Sequence, residues 1–446
     1  MENVKIKYVA VTKLKSHPRN PRKHSKKQVR QIGRSIKRFG FVGVIIVDAN
    51  NCIIAGHARV EAAKALGIKE VPVICVDHLC EEELLAYMVA DNKLTENAEW
   101  GFPLLGEIFH ILDVSGIDFD LEITGFDAPE IDFLIDQHAG VADEEPPDEI
   151  PLPPDAGPAV SRRNDLWLLG RHRLLCDDAT SPVSYAALMN GKKAQFVFTD
   201  PPYNVRIGGH VSGKGRHQHD EFVMASGEMS DAEYIVFLET VLRLMAANSV
   251  NGSVHDICID WRHVHDLLTA GRAVYQKLLN IAVWAKPNAG MGSLYRSQHE
   301  LVAIFKNGTG KHINNVELGR HGRNRSNLWQ YAGMSSFGAD RDDLLSLHPT
   351  VKPLELVKDA VLDCSSRGGI VLDPFAGSGT TMLAAEQTGR KACAMELDPK
   401  YIDVAIRRWQ ALTGQVAELA ETCQTFDEVC AERSEASADH TSEAAE

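Results

Sequence analysis

Residues 368–398, GGIVLDPFAGSGTTMLAAEQTGRKACAMELD, constrain the fold more than any other stretch of this chain. IVLD is a short apolar strand, FAGSGTT a tight glycine-bearing turn, TMLAAEQTG an amphipathic helix closed by Gly389, and ACAME a second strand. Two strands joined through one helix run parallel, so the chain is committed to an α/β sheet with helical crossovers. Gly377 and Gly379 let the backbone approach a ligand whose anionic part can sit at the helix N-terminus. Glu396 ends the second strand, close to the spacing at which an acidic side chain accepts hydrogen bonds from ribose hydroxyls. No third glycine follows, since Met382 comes after Thr380 and Thr381, which disfavours a dinucleotide. No G-K-[ST] follows either, which excludes a P-loop. A nucleoside-type cofactor is expected.

A second stretch, FTDPPYN, follows the apolar run Phe196–Phe198. Two prolines stop that strand because neither can donate to a sheet ladder. Asp200, Pro201, Pro202 and Tyr203 therefore sit at a strand's C-terminal end, where open α/β sheets bind ligands.

Together DPFAGSGTT and TDPPYN resemble the cofactor and catalytic motifs of amino-group DNA methyltransferases, in the order of the permuted beta class. LLGRHRLLCDDAT and LHPTVKPLELV are similar to further segments of that family, and the resemblance spans residues 162–412. It implies a permuted Rossmann-like domain using S-adenosyl-L-methionine, with Asp373, Phe375, Gly377, Gly379 and Glu396 as cofactor contacts. Asp177 or Asp178 would lie near the cofactor's adenine, and Thr350 and Lys352 near its methionine end. Lys352 could equally contact a phosphate or be a solvated surface lysine. Asp200 would accept one N–H of the target amine and the Pro201 carbonyl another, while Tyr203 stacks on a flipped base. Aspartate at position 200 favours adenine N6, with cytosine N4 as the alternative. A partition-type DNA-binding protein with a non-catalytic methyltransferase fold is a competing reading, as is an RNA or protein substrate. Glutamine methylation usually goes with N-P-P-Y, which disfavours the protein version.

Charge is split along the chain. The net charge is −14, yet residues 1–40 hold thirteen Lys and Arg against the single acid Glu2. From Glu81 to Asp155, by contrast, Lys93 is the only Lys or Arg. LKSHPRNPRKHS, QIGRSIKRFGFVGVIIVD and IIAGHARVEAAKALGIKEVPV resemble the N-terminal domain of ParB-family partition proteins, which is related to the sulfiredoxin fold. Where partition proteins carry a G-E-R-R nucleotide box, this chain has Gly56–His57–Ala58–Arg59. The resemblance implies Gly56, His57 and Arg59 as a phosphate or nucleotide grip, with hydrolysis put in doubt. DNA tethering through the basic arm is the preferred role. No helix-turn-helix of the partition type is evident downstream, where VADNKLTENAEW resembles a helical connector.

The expected organisation is a ParB-like domain over 1–78, a helical connector over 79–138, and an acidic Pro-rich linker over 139–160. A methyltransferase domain over 161–413 and a low-complexity acidic tail over 414–446 complete it. Arg320, Arg323 and Arg325, with Trp329 and Tyr331, suit phosphate and base contact. GGHVSGKGRHQHD reads as a mobile loop able to close over the base. Nine cysteines without metal-type spacing argue for reduced thiols and no metal, and His263 and His265 of WRHVH have no partner cluster in sequence. The start lacks a signal peptide's apolar core and no apolar run spans a membrane, so a cytoplasmic protein with double-stranded DNA as partner is expected. A cognate restriction enzyme, hence a restriction–modification setting, and a homodimer are left open.

Overall fold

The computed structural model describes residues 5–115, 120–139, 159–205, 227–287, 289, 294–319, 323–331 and 352–443. The chain divides into two compact units, residues 1–143 and 144–446.

The first unit opens with β1 (Ile6–Ala10), β2 (Lys15–Ser16), α1 (Lys26–Phe39), β3 (Ile45–Val47), β4 (Cys52–Ala55), α2 (His57–Ala65) and β5 (Glu70–Cys75). The strands form one sheet in the order β1-β5-β3-β4-β2. Ser25 caps α1 by accepting from the Gln28 amide, and Gly40, at φ 84°, ends it where an L side chain would be strained. Val11, Leu14, Ile45, Val47, Ile53, Val60, Val71 and Val73 fill the core between sheet and helices. Then follow α3 (Glu81–Glu96), α4 (Phe102–Val114) and α5 (Ala128–Ala139). Leu105, Phe109, Ile131 and Leu134 pack α4 on α5. Gly106 makes that approach close: a Cβ there would stand 2.6 Å from the Leu134 carbonyl oxygen.

The second unit contains β6 (Leu166–Leu169), β7 (His172–Cys176), α6 (Pro182–Met189), β8 (Ala194–Thr199), α7 (Asp231–Ala247), β9 (Ser249–Ile259), α8 (Val264–Val274), β10 (Lys277–Ala285), β11 (His299–Lys306) and β12 (Leu328–Gln330). After them come α9 (Leu354–Cys364), β13 (Ile370–Asp373), α10 (Thr380–Gln387), β14 (Lys391–Glu396), α11 (Pro399–Thr413), β15 (Glu418–Leu419) and α12 (Phe426–Glu443). One mixed sheet runs β12-β10-β11-β9-β8-β13-β14-β7-β6-β15. Its centre is parallel, with β8 between β9 and β13. From β8 the chain winds outward through β9, then returns by α9 to β13 on the opposite side. The β8/β13 pair is thus the point where winding reverses, and crevices at such points hold ligands.

Two expectations are corrected here. Residues after 413 are not all tail: β15 pairs with β6, and Phe426 and Val429 are buried in the main core. Arg433 fastens this segment by donating to the Val160 carbonyl at 2.6 Å and to Asp165. Apolar residues at i and i+3 on a helix suffice to anchor it despite its Ala/Glu-rich composition. The expected linker also ends earlier, because the Val160 and Ser161 amides donate to Asp403 at 2.7 and 2.9 Å inside the second unit. Residues 140–158 of that linker lie outside the described residues. All nine cysteines are unpaired, and no helix among the described residues is long and apolar enough to cross a membrane.

Candidate active site

Thr199, the last residue of β8, pairs with Ile257 of β9, and the two prolines then end the ladder. The turn that follows is gripped from two sides. Tyr234 of α7 donates its hydroxyl to the Pro202 carbonyl at 2.8 Å. Asn204, at φ 53°, donates to the Met229 carbonyl at 2.8 Å and accepts from the Gly227 and Met229 amides at 3.1 and 3.2 Å.

Asp200 is the end of a chain of alternating charges centred on the buried Lys352. Its Oδ1 accepts from the Tyr203 hydroxyl and its Oδ2 from Lys352 Nζ. Lys352, only 6% exposed, also lies 3.3 Å from the Tyr203 hydroxyl and 3.0 Å from Glu300 Oε2. Glu300 Oε1 in turn pairs with Lys286. Burial raises the Asp200 carboxyl, Lys352 opposes this, and Glu300 adds to it. Burial would also raise Glu300, but the two lysines hold it down at about 2. Lys352 would be lowered by burial, yet Asp200 and Glu300 keep its ammonium above the ordinary value. The solvated-surface reading of Lys352 is therefore corrected: two carboxylates draw it inside, where an unpaired ammonium would be costly.

The cofactor-type turn lies on the adjacent strand. Asp373 ends β13, and its Oδ1 accepts from Thr199 Oγ1 at 2.8 Å and from the Phe375 amide at 3.1 Å. One hydrogen bond thus ties the last residue of the DPPY strand to the first of the glycine turn. Burial pushes Asp373 up to about 6 against the bonds from Thr381 and Thr199. Gly377 and Gly379 stand at φ 50° and 85°, and Gly379 opens α10 without a side-chain cap. Its missing side chain is required, since a Cβ would lie 2.7 Å from Ala405 Cβ of α11. Arg408 of α11 braces the turn through the Ser378 carbonyl and hydroxyl at 2.8 and 2.9 Å.

Glu396 ends β14 beside this turn. Its Oε2 accepts from the Gly377 amide at 2.9 Å, and Oε1 from the Leu397 and Asp398 amides at 2.9 and 3.0 Å. Burial raises it to about 7 even so. The Asp177 amide donates to the Glu396 carbonyl at 3.0 Å, which brings the end of β7 to the same rim. Asp177 itself accepts from Ser184 Oγ and Arg163 Nε, and Asp178 from the Thr180 amide and hydroxyl. Phe375 is half-buried, its ring 6.1 Å from Phe237. A glycine turn opening an uncapped helix, with a strand-end carboxylate beside it, fits a nucleoside-bearing cofactor.

Other expected site residues are placed elsewhere or not at all. Arg323 and Arg325, expected as DNA contacts, are both held by two aspartates of α9. Arg323 donates to Asp363 Oδ1 and Asp359 Oδ1 at 2.8 Å each, and Arg325 to Asp363 Oδ2 at 2.9 Å and Asp359 Oδ2 at 2.6 Å. Asp359 and Asp363 stand one turn apart on α9 and offer the two guanidiniums four oxygens. Trp329 is buried, and Tyr331 donates to Asp359. Arg320, Thr350 and the GGHVSGKGRHQHD segment lie outside the described residues. His263 does have neighbours, with Asp266 at 2.8 Å and Asp231 nearby. These groups sit at the first turns of α7 and α8, whose positive ends favour carboxylates over a bound cation.

In the first unit, Gly56 at φ 98° turns the chain into α2. His57 Nε2 accepts from the His17 amide at 3.4 Å, while the exposed Arg59 donates to the Val44 carbonyl at 2.5 Å. Part of the basic arm is spent on the acidic segment: Arg19 pairs with Glu81, Arg22 with Glu96, Lys27 with Asp127, and Arg34 with Asp120 and Glu122.

The sequence reading missed Glu300, Lys286, Tyr234 and Arg408. Only the antiparallel register of β10 and β11, which sets Trp284 opposite Glu300, reveals the lysine–glutamate pair.

Comparison with known families gives three matches along the chain. A ParB N-terminal domain matches residues 1–93, a ParB-methyltransferase HTH domain residues 104–163, and a DNA methylase family residues 194–407. The second match corrects the expectation that no helix-turn-helix of the partition type is evident downstream of the first domain. The type II methyltransferase M2.DpnII of Streptococcus pneumoniae is 25% identical over 245 residues, 51% of this chain and 86% of that protein. The type II methyltransferase M.ScaI of Streptomyces caespitosus is 36% identical over 91 residues, 20% of this chain and 30% of its own length. Among solved structures, the cytosine-N4-specific PvuII DNA methyltransferase is similar over 55% of this chain and 91% of its own, with 16% identity and a TM-score of 0.41.

Proposed function

The chain joins a ParB N-terminal domain to a DNA methylase domain of the N6/N4 class, and from this premise we propose that it methylates the N6 amine of an adenine flipped out of double-stranded DNA. The observation that carries this reading is the Thr199–Asp373 hydrogen bond, which sets the half-buried DPPY carboxylate beside a glycine turn that suits a nucleoside.

S-adenosyl-L-methionine, the donor of this family, supplies an electrophilic methyl group when bound. Glu396 would hold its ribose hydroxyls, and the Gly377–Gly379 turn with Asp373 and Phe375 the remainder. An exocyclic amine is a poor nucleophile because its lone pair is delocalised into the ring. Asp200 accepts one N–H and the Pro201 carbonyl another, localising that pair on nitrogen. The Tyr234 bond to the neighbouring Pro202 carbonyl supports this arrangement by fixing the backbone of the turn. Tyr203, half-buried beside Asp200, offers a ring on which the base stacks. Positioning and electrostatics then carry most of the catalysis. The first unit serves to tether DNA through the part of the basic arm not paired with the acidic segment, and Gly56, His57 and Arg59 to grip a nucleotide phosphate.

The test is incubation of the full chain with unmethylated plasmid DNA and methyl-labelled S-adenosyl-L-methionine, followed by nucleoside mass analysis. N6-methyladenine is expected. N4-methylcytosine would keep the mechanism and change the base, and no methylated base across diverse DNA would overturn the reading.

A further inference from the structure

We propose that Glu300 is a positioning residue for methyl transfer, held between Lys286 and Lys352 so that Asp200 meets the target amine in a site of zero net charge. This rests on the methyltransferase reading above.

Four ionisable groups make the chain: Lys286, Glu300, Lys352 and Asp200. Glu300 gives one oxygen to each lysine, Oε1 to Lys286 and Oε2 to Lys352 at 3.0 Å. Lys352 passes the contact to Asp200, and the Tyr203 hydroxyl, 3.5 Å from Glu300 Oε2, closes the ring of partners. Both ammoniums flank the Trp284 ring, Lys286 Nζ at 4.7 Å and Lys352 Nζ at 6.0 Å from its centroid. Two ammoniums that close repel each other unless a carboxylate stands between them. Glu300 stands opposite Trp284 across the β10/β11 pair, so the sheet register itself puts a carboxylate there.

The chemistry gives this balance a purpose. The amine nitrogen bonds the methyl carbon as the carbon–sulfur bond breaks, and it carries positive charge until one N–H proton leaves to solvent. A negative Asp200 favours that charge. With Glu300 neutral, two ammoniums would face one carboxylate, leaving the site at +1 and Lys352 drawn wholly onto Asp200. Positive charge at the reacting nitrogen would then be opposed in a buried, weakly screened place.

Glu300→Gln keeps shape and removes charge. It is expected to lower kcat about a hundredfold, with KM for DNA and for S-adenosyl-L-methionine nearly unchanged. Glu300→Gln/Lys286→Met restores zero net charge and is expected to recover most of that loss. Glu300→Asp, which keeps the charge, should stay well above Glu300→Gln. A merely structural Glu300 would instead make the double variant worse than the single one. Wild type and Asp200→Ala run alongside. Wild type without methylation would sink the methyltransferase reading, whereas methylation by wild type with an equally fast Glu300→Gln would overturn only the role of Glu300. Should Glu300→Gln fail to fold, the two charge-balanced variants decide: folded but inactive, they contradict the proposal.

Discussion

Lysines and arginines meet carboxylates in two parts of this protein under opposite conditions. In the first unit the basic arm pairs with acids of the helical segment at the surface, where Arg19 and Glu81 side chains are 68% and 73% exposed. In the second unit the paired side chains of Lys352 and Asp200, the latter just past the end of β8, are 5% and 20% exposed. The residue types are the same, but water screens the first set and little screens the second. Surface pairs of this kind contribute little. Buried ones cost so much to desolvate that every charge must be answered, and removing one partner leaves the other exposed to that cost. The difference teaches that charge runs legible in the sequence are the less consequential ones, while the decisive charges are scattered over Asp200, Lys286, Glu300 and Lys352.

The comparison can be broken from its strong side first. Arg325→Ala removes one guanidinium from the Asp359–Asp363 clamp, where Arg325 is 17% exposed. A stability loss of about 3–5 kcal/mol is expected by denaturant unfolding. A loss under about 1 kcal/mol would place this cluster with the surface pairs.

Glu396 gives a smaller, pH-dependent effect. Raised to about 7, it is protonated below that pH and a carboxylate above it. Only the carboxylate has its full accepting capacity for ribose hydroxyls. Affinity for S-adenosyl-L-methionine should therefore be constant above pH 7 and fall by up to about tenfold per unit below it. Calorimetric titration reads this directly, and Glu396→Gln should bind more weakly with no such slope. A slope persisting in the variant would assign it to another group.

The smallest effect sharpens the weak side. Arg34→Ala, which removes contacts of 3.5 and 3.6 Å to Asp120 and Glu122, should change stability by less than about 1 kcal/mol. The difference should shrink further as salt is added. A larger, salt-insensitive loss would mean that these Arg34 contacts are structural rather than surface pairs.

What could be read in advance was written in backbone chemistry. Prolines 201 and 202 must end a strand, and Gly377 and Gly379 favour a tight turn, so both strand ends and their shared edge were legible. Side chains that act through tertiary register were not. Nothing local to QHELV marks Glu300, and nothing in the arginine-rich LGRHGRNRSNLWQYAG marks Arg323 and Arg325 as partners of two aspartates on α9. The helix-turn-helix match at residues 104–163 is hidden by an acidic composition, since α4 and α5 carry no lysine or arginine. Composition likewise hid the anchoring of Phe426 and Val429.

The central claim is that Asp200 activates an amine rather than holding the fold or the cofactor. Single-turnover methyl transfer by Asp200→Asn, beside calorimetric binding of S-adenosyl-L-methionine, tests it most directly. The account predicts binding close to wild type with transfer reduced about a thousandfold or more. Transfer within a few-fold of wild type, or loss of transfer only in proportion to lost cofactor binding, would contradict it.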